Sequence, residues 1–282
     1  MRFEFLGTGT SAGVPNIGCD CRVCTSDDPR DRRLRTSAAI RWTDHLGHDR
    51  CVLLDAGPDL RAQALRAKLS RCDAIFFTHN HVDHTFGLDE IRRFNAVQRA
   101  PISLFAEEHT LKFLERVYQH IFDPSKNIND SFVASVIPHR IHASLSPISL
   151  HGLRFSPIRL LHGKLPILGF RIDPDPDSRL AAPWLPLAYC TDVSGIPTES
   201  WGRLEGLSTL VLDCLRHRKH PTHLCVDQAL SIADRVAARR TYFVHMAHDV
   251  MHAEFAAELP AGIEPAYDGL VLQPFDPIPN KP

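Results

Sequence analysis

Apolar runs of strand length recur along this chain: Phe3–Leu6, Cys51–Leu54, Ala74–Phe77, Ile102–Phe105, Leu153–Leu161, Leu168–Ile172, Leu187–Cys190, Thr209–Leu212 and Thr241–Val244. Each is short and rich in aliphatic and aromatic residues, the signature of buried strands. Two other stretches carry the helical period instead. Leu60, Ala64, Leu65 and Leu69 form one stripe over Leu60–Leu69, and Val226, Ala229, Leu230, Ala233, Val236 and Ala237 form another over Val226–Ala237. Many strands with fewer helices predict an α/β protein whose sheet layers are faced by helices. No internal repeat or low-complexity linker divides the sequence, so one domain over 1–282 is expected. Asp173–Asp177 reads as a Pro-broken surface loop, and Pro274–Pro282, with four prolines, as an irregular tail. The start is too short and too polar for a signal peptide, and no apolar run approaches a membrane span. A soluble, cytoplasmic protein that does not engage membranes is the expectation.

Composition sharpens this picture in one respect. With 44% hydrophobic and 23% charged residues the chain is ordinary globular protein. Lys+Arg 32 against Asp+Glu 33 leaves a net charge of −1, which argues against a nucleic-acid partner. The 17 histidines, however, outnumber Met 3, Trp 3 and Tyr 4 together, and eight cysteines are too sparse for a disulfide scaffold. The question is where these two residue types converge.

Histidines converge in Thr78-His79-Asn80-His81-Val82-Asp83-His84, directly after the apolar run Ala74–Phe77. A buried strand thus ends in a loop at the sheet edge, where sites on open sheets form. Three imidazoles and a carboxylate side by side have no use in a packed interior without an ion. Such donors suit Zn²⁺, Mn²⁺ or Fe²⁺; a solvated His-rich loop is the plain alternative. Cysteines converge in Cys19-Asp20-Cys21-Arg22-Val23-Cys24. In a reducing compartment that spacing reads as soft-metal ligation, with a redox-active thiol cluster as the alternative. Cys51, Cys72, Cys190, Cys214 and Cys225 show no pair spacing and read as small apolar or surface residues.

His79-x-His81-x-Asp83-His84 resembles the signature of the metallo-β-lactamase superfamily, whose fold is an αββα sandwich with a metal site at one edge of its two sheets. The resemblance implies further ligands at matching positions: His162, Asp192 and His245. It implies His79, His81 and His162 on one metal and Asp83, His84 and His245 on the other, with Asp192 shared. The metals expected are zinc or manganese. Asp55, in Leu54-Asp55-Ala56-Gly57-Pro58, resembles the superfamily aspartate that orients a ligating histidine; a plain turn aspartate is the alternative. The Cys-x-Cys-x-x-Cys loop is similar to that of a narrower subset, in which a late histidine, here His248, completes a structural Cys₃His zinc site.

Within that subset the chain is similar to the PhnP-like phosphodiesterases of the carbon–phosphorus lyase pathway, whose substrate is phosphoribosyl 1,2-cyclic phosphate. The likeness runs from Phe5-Leu6-Gly7-Thr8-Gly9-Thr10 through His220-Pro221-Thr222-His223 to Ala266-Tyr267-Asp268-Gly269. The long segments His84–His162 and His162–Asp192 depart from compact relatives and are expected to flank the metal edge. His223 matches a family histidine that faces the substrate phosphate, and joins Asp83 as the catalytic pair; His217 and His220 compete for that role. Lys164 reads as a surface lysine. What the resemblance implies is hydrolysis of small phosphodiesters, cyclic ones among them. Two metals about 3.5–4 Å apart would activate a bridging hydroxide and clamp the phosphate oxygens. His223 would bind the phosphate or protonate the leaving oxygen, with a histidine that fixes the loop as the plain alternative. A homodimer is compatible with this reading.

Three rivals have distinct signatures. Ribonuclease Z shares the ligand set but carries a His-Glu-Ala-Thr box where this chain has His217–His223. Diiron flavoproteins want a carboxylate at the position of His81. A non-enzymatic role, as in the pyrroloquinoline quinone biosynthesis protein B, shares the cysteine site, but the intact His79–His84 cluster argues against it.

Overall fold

Alternation within the strands decides the layering. Phe3 and Phe5 enter one buried cluster while Leu6 enters a second; Val52 and Leu54 join the first while Cys51 and Leu53 join the second. Strands buried on both faces must be apolar at every position, which is why they read as continuous runs. The structure, a computed structural model, describes residues 1–127, 131–142 and 144–272.

Among these residues the first sheet has six strands in sequence order: β1 (Arg2–Gly7), β2 (Ser37–Thr43), β3 (Asp49–Leu54), β4 (Ala74–Phe76), β5 (Ile102–Glu107) and β6 (Val136–Ile141). The second has seven: β7 (Ile148–Leu150), β8 (Leu153–His162), β9 (Leu165–Pro174), β10 (Leu187–Cys190), β11 (Thr209–Asp213), β12 (Arg240–Val244) and β13 (Ile263–Pro265). The sheets face each other through one cluster centred on Phe76, which stacks on Phe105 and Phe155 and meets Phe170 edge-on. Outside the first sheet lie α1 (Leu60–Arg66), α2 (Val82–Thr85), α3 (Arg92–Gln98), α4 (Glu108–Val117) and α5 (Gln119–Phe122). Outside the second lie α6 (Val226–Val236) and α7 (His252–Glu258). The result is the αββα sandwich that the resemblance implies.

Strands β3 to β6 run parallel, as do β10 to β13. The carboxyl ends of β3 and β4 in one sheet and of β10, β11 and β12 in the other therefore gather at one edge, where loops are free to carry chemistry.

Several short elements escape the hydrophobic pattern, among them β2, β6, β7, β13, α3, α4 and α7, because three to ten residues hold too little periodicity to stand out. Two expectations are corrected. Asp173 is not in a surface loop: it closes β9, buried beside Arg171. Nor does the His162–Asp192 segment flank the metal edge throughout. The β8–β9 hairpin starts there, but its ten-residue strands carry the chain about 33 Å away. Residues 175–186 then lie at the opposite end, where Asp175 N–H donates to Gly152 O. The His84–His162 segment mainly completes the first sheet and its helical layer. The proline tail lies outside the described residues.

One glycine decides how α2 meets the first sheet. A Cβ at Gly57 would lie 2.0 Å from Asp83 O, and Ala56 N–H donates to His84 O at 2.8 Å. The loop after β3 thus lies against the helix that carries Asp83 and His84. Gly57→Ala is expected to lower stability by about 1–3 kcal/mol, through overpacking that no rotamer change relieves. Denaturant unfolding checks this; an unchanged midpoint would refute the close-contact argument.

Candidate metal centre

Most of the residues predicted to form or support the site sit where a strand stops. Asp55 follows β3, His79 follows β4, His162 ends β8, Asp192 follows β10 and His245 follows β12, while α2 supplies Asp83 and His84. Asp55, Asp192 and His245 all take left-handed backbone conformations, with φ of 62°, 59° and 63°. That region is costly for most residues and is tolerated best by Asp, Asn and His. The same device breaks three strands and leaves a polar side chain at each break.

The donors form two groups. His79, His81 and His162 bring ring nitrogens within 4.8 Å of one another, and so do the ligand atoms of Asp83, His84, Asp192 and His245. Asp192 joins them: Oδ2 is 3.2 Å from His84 Nε2, Oδ1 is 3.2 Å from His245 Nε2, and the carboxylate also groups with His162 and His223. The other ring nitrogens are engaged behind the site. His79 Nδ1 is 2.9 Å from Thr78 Oγ1, His84 Nδ1 is 2.7 Å from Asp55 Oδ2, and His162 Nδ1 is 2.7 Å from Thr222 O. Nε2 of His79, His84 and His245 is left buried with no hydrogen-bond partner. Orphaned imidazole nitrogens turned toward shared carboxylates, with the far sides of His79 and His84 tethered, are what a divalent metal site requires, so the residues fit the group.

Electrostatics agrees. Burial works against ionisation of Asp192, yet His245 and His84 outweigh it and hold its carboxyl well below the usual range. Burial likewise opposes the His84 imidazolium, but Asp192, Asp55 and Asp83 pull it well above its ordinary value. Burial and the charge of His84 keep His79 well below its own. This buried set of carboxylates calls for positive charge, which protons on His84 and His245 can supply and a divalent cation supplies better.

Beside these donors stands His223. Its ring stacks on His245 at 4.6 Å and meets His162 edge-on at 4.6 Å. Its Nδ1 is 3.0 Å from Asp213 Oδ1, and Asp213 Oδ2 accepts the Leu224 N–H. Asp213 Oδ1 also lies 3.5 Å from His245 Nδ1. Of the competitors, His217 packs against Phe255, while His220 lies behind His223 at 5.2 Å between ring centroids, its Nδ1 accepting from Thr222 N–H. Lys164 is exposed on the β8–β9 turn.

A second donor set lies nearby. Cys19, Cys21 and Cys24 place Sγ 3.3, 3.4 and 3.7 Å from His248 Nδ1. Tetrahedral zinc with thiolate and imidazole bonds of about 2.3 and 2.0 Å needs ligand atoms about 3.5 Å apart, so these four residues fit it. The Cys24 backbone N–H, with His248 and Cys19 adding to it against burial, lowers the Cys21 thiol to about 6. The five other cysteines are all buried, as small apolar residues.

Residues 50–246 match the profile of the beta-lactamase superfamily domain. A solved structure described as a new diphosphatase from the PhnP family is 42% identical and superposes with a TM-score of 0.83, covering 96% of this chain and 97% of that one. This chain belongs to the metallo-β-lactamase superfamily and is PhnP-like. As a member it is a metal-dependent hydrolase. An octanoyltransferase of Porphyromonas gingivalis is 34% identical over 274 residues, 96% of this chain; the chain spans about half (51%) of that relative's length. Coenzyme PQQ synthesis protein B of Pseudomonas aeruginosa (strain LESB58) is 26% identical, covering 97% of this chain and 100% of the relative. Zn(2+)-bound PqqB from Methylobacterium extorquens shares the fold at 20% identity and TM-score 0.71, covering 97% of this chain and 100% of that one. Human tRNase Z, short form, does so at 18% and 0.68, covering 97% and 99%.

For this superfamily member every ligand candidate from the sequence lands in one of the two donor sets, with Asp55 behind one of them and His223 beside it. Asp55 lies behind His84 as the resemblance implies, donating nothing and accepting from Thr78 N–H and Oγ1–H as well. Asp213 escaped notice. Its signal was present, since it ends an apolar strand as Asp55 and Asp192 end theirs. Thr78 Oγ1 and Thr222 O carry no such signal, because one is a common loop hydroxyl and the other is backbone. No helix among the described residues is long and apolar enough to cross a membrane.

Proposed function

We propose that the chain is a dinuclear metal phosphodiesterase acting on small phosphodiesters, cyclic ones among them. The observation that carries this reading is the meeting of two donor groups at Asp192, with the His223–Asp213 pair beside them. His79, His81 and His162 would hold one metal, and Asp83, His84 and His245 the other, with Asp192 common to both. Imidazole and carboxylate donors suit zinc and manganese alike. When bound, two such metals supply a nucleophile from water at neutral pH and offset the charge growing on the phosphoryl oxygens.

The chain's own residues do the rest. Asp55, Thr78 and Thr222 O fix the tautomers, so that Nε2 of each tethered histidine faces the metal. Asp213 takes the Nδ1–H of His223 and leaves Nε2 for the substrate. From there His223 can donate a proton to the departing oxygen, and Asp213 stabilises the imidazolium before transfer. The PhnP-family relative is described as a diphosphatase, which supports phosphorus–oxygen hydrolysis as the reaction class. The cysteine site, closed by four protein donors, would hold a structural zinc that takes no part in the chemistry.

The deciding experiment is metal analysis combined with turnover of bis-(p-nitrophenyl) phosphate, nucleoside 2′,3′-cyclic phosphates and a diphosphate-linked dinucleotide. Metal-loaded protein is expected to cleave at least one diester; no cleavage of any of them rejects the reading. For the cysteine site, Cys21→Ser is expected to lose about one zinc per chain and several degrees of melting temperature. Diester turnover by the folded variant should stay near wild type. Loss of the active-pair metals with the third zinc retained would contradict this division of roles.

A further inference from the structure

One short segment serves both donor sets. His245 faces the active pair and His248, three residues later, faces the cysteines. Neither β12, which ends at Val244, nor α7, which begins at His252, contains them. Backbone bonds with Thr8, Thr10 and Leu215 fix Met246 and the Ala247 N–H. Beyond that point the carbonyls of the segment are held by a side chain from far earlier in sequence.

That side chain is Arg33. Its guanidinium is wholly buried, and it donates from Nη1 to Ala247 O at 3.1 Å and from Nη2 to Val250 O at 2.7 Å. These two carbonyls bracket His248. Nη2 also reaches Asp31 Oδ1 at 3.1 Å. The same Asp31 oxygen accepts the His252 N–H at 2.7 Å, and Oδ2 accepts the hydroxyl of Ser26, two residues after Cys24. One buried ion pair thus ties the cysteine loop to both ends of the 247–252 backbone.

Keeping a guanidinium away from water is costly, and an apolar residue would fill the space without that cost. What an apolar residue lacks is a rigid planar fork that grips two carbonyls and a carboxylate at once; a lysine lacks it too. We propose that Arg33, seated by Asp31, is a positioning residue for both metal sites. It fixes the backbone of residues 247–250, which carries His248 directly and anchors, from its far side, the short segment that begins at His245. The inference rests on reading the two sets as metal sites, and not on any substrate.

Cobalt titration tests it without turnover. Thiolate-to-cobalt charge transfer in the near ultraviolet reports the cysteine site, and the visible d–d bands of protein whose cysteine site is already filled with zinc report the histidine–carboxylate pair. Wild type, Arg33→Met, Arg33→Lys and Asp31→Asn are compared, with metal counted by mass spectrometry and folding followed by circular dichroism. Arg33→Met is expected to weaken cobalt binding at both sites by about 10–100-fold, the usual cost of losing an outer-shell support, while Arg33→Lys recovers part of the loss. A role confined to stability would lower the melting temperature but leave both cobalt midpoints in place, and that result overturns the proposal, as does weakening at one site only. Should Arg33→Met not fold, Asp31→Asn decides: weaker binding at both sites supports the proposal and unchanged midpoints overturn it. Wild type that takes up cobalt at neither set would sink the metal-site reading itself, a result distinct from equal binding by wild type and Arg33→Met.

Discussion

Asp192→Ala is expected to lower kcat/KM for bis-(p-nitrophenyl) phosphate by about a thousandfold or more. The carboxylate is buried, with its two oxygens each 3.2 Å from a different imidazole, His84 and His245, and it also groups with His162 on the other side. Removing it takes away the donor proposed as common to both metals and leaves buried imidazoles facing one another without that counter-charge. Lewis-acid stabilisation of a phosphoryl transition state is worth several kcal/mol, and each 1.4 kcal/mol is about tenfold in rate. Asp192→Asn, which keeps the shape and loses the charge, should fall in the same direction with a smaller deficit in bound metal. Turnover is read beside metal stoichiometry. A variant with wild-type turnover would show that Asp192 is not the common donor, and the division of ligands given above would have to be redrawn.

His223→Ala is expected to discriminate between leaving groups. A p-nitrophenolate departs without a proton, so its release should slow by about tenfold or less. The 2′ or 3′ oxygen of ribose leaves as a strongly basic alkoxide unless protonated, and opening of a nucleoside 2′,3′-cyclic phosphate should slow by about 10²–10⁴-fold, the usual worth of a positioned acid. Asp213→Asn should reproduce the pattern more weakly, because Asp213 acts only through the imidazole it orients. Equal losses on both substrates would make His223 a phosphate-binding or structural residue instead. Metal content is expected to stay near wild type, since His223 is not among the seven proposed ligands.

How much of this was legible in the chain follows from the range of each interaction. His79, His81, Asp83 and His84 lie within one strand-end turn, so their spacing alone exposes a metal site. The cysteine loop is equally local. The strands that carry His162, Asp192 and His245 stood out as apolar runs, and family resemblance assigned the residues at their ends. The short edge strands and outer helices did not stand out, because a few residues packed on one side leave no period to read.

The amino-acid sequence by itself determined the chemistry available: which donors exist, that most of them sit at the ends of buried strands, and that two clusters bind metal if they bind anything. Only the tertiary structure decided which groups face one another. It placed His223 between His162 and His245, put Asp213 behind it, and set Thr78 and the Thr222 carbonyl as tethers of His79 and His162. It also placed Arg33 beneath a segment more than two hundred residues away in sequence. The physical reason is common to all of these. Apart from Thr78, the sequence neighbour of His79, they join segments ten or more residues apart, often through backbone carbonyls, and such contacts are fixed by strand register and packing. Neither residue type nor local spacing records them.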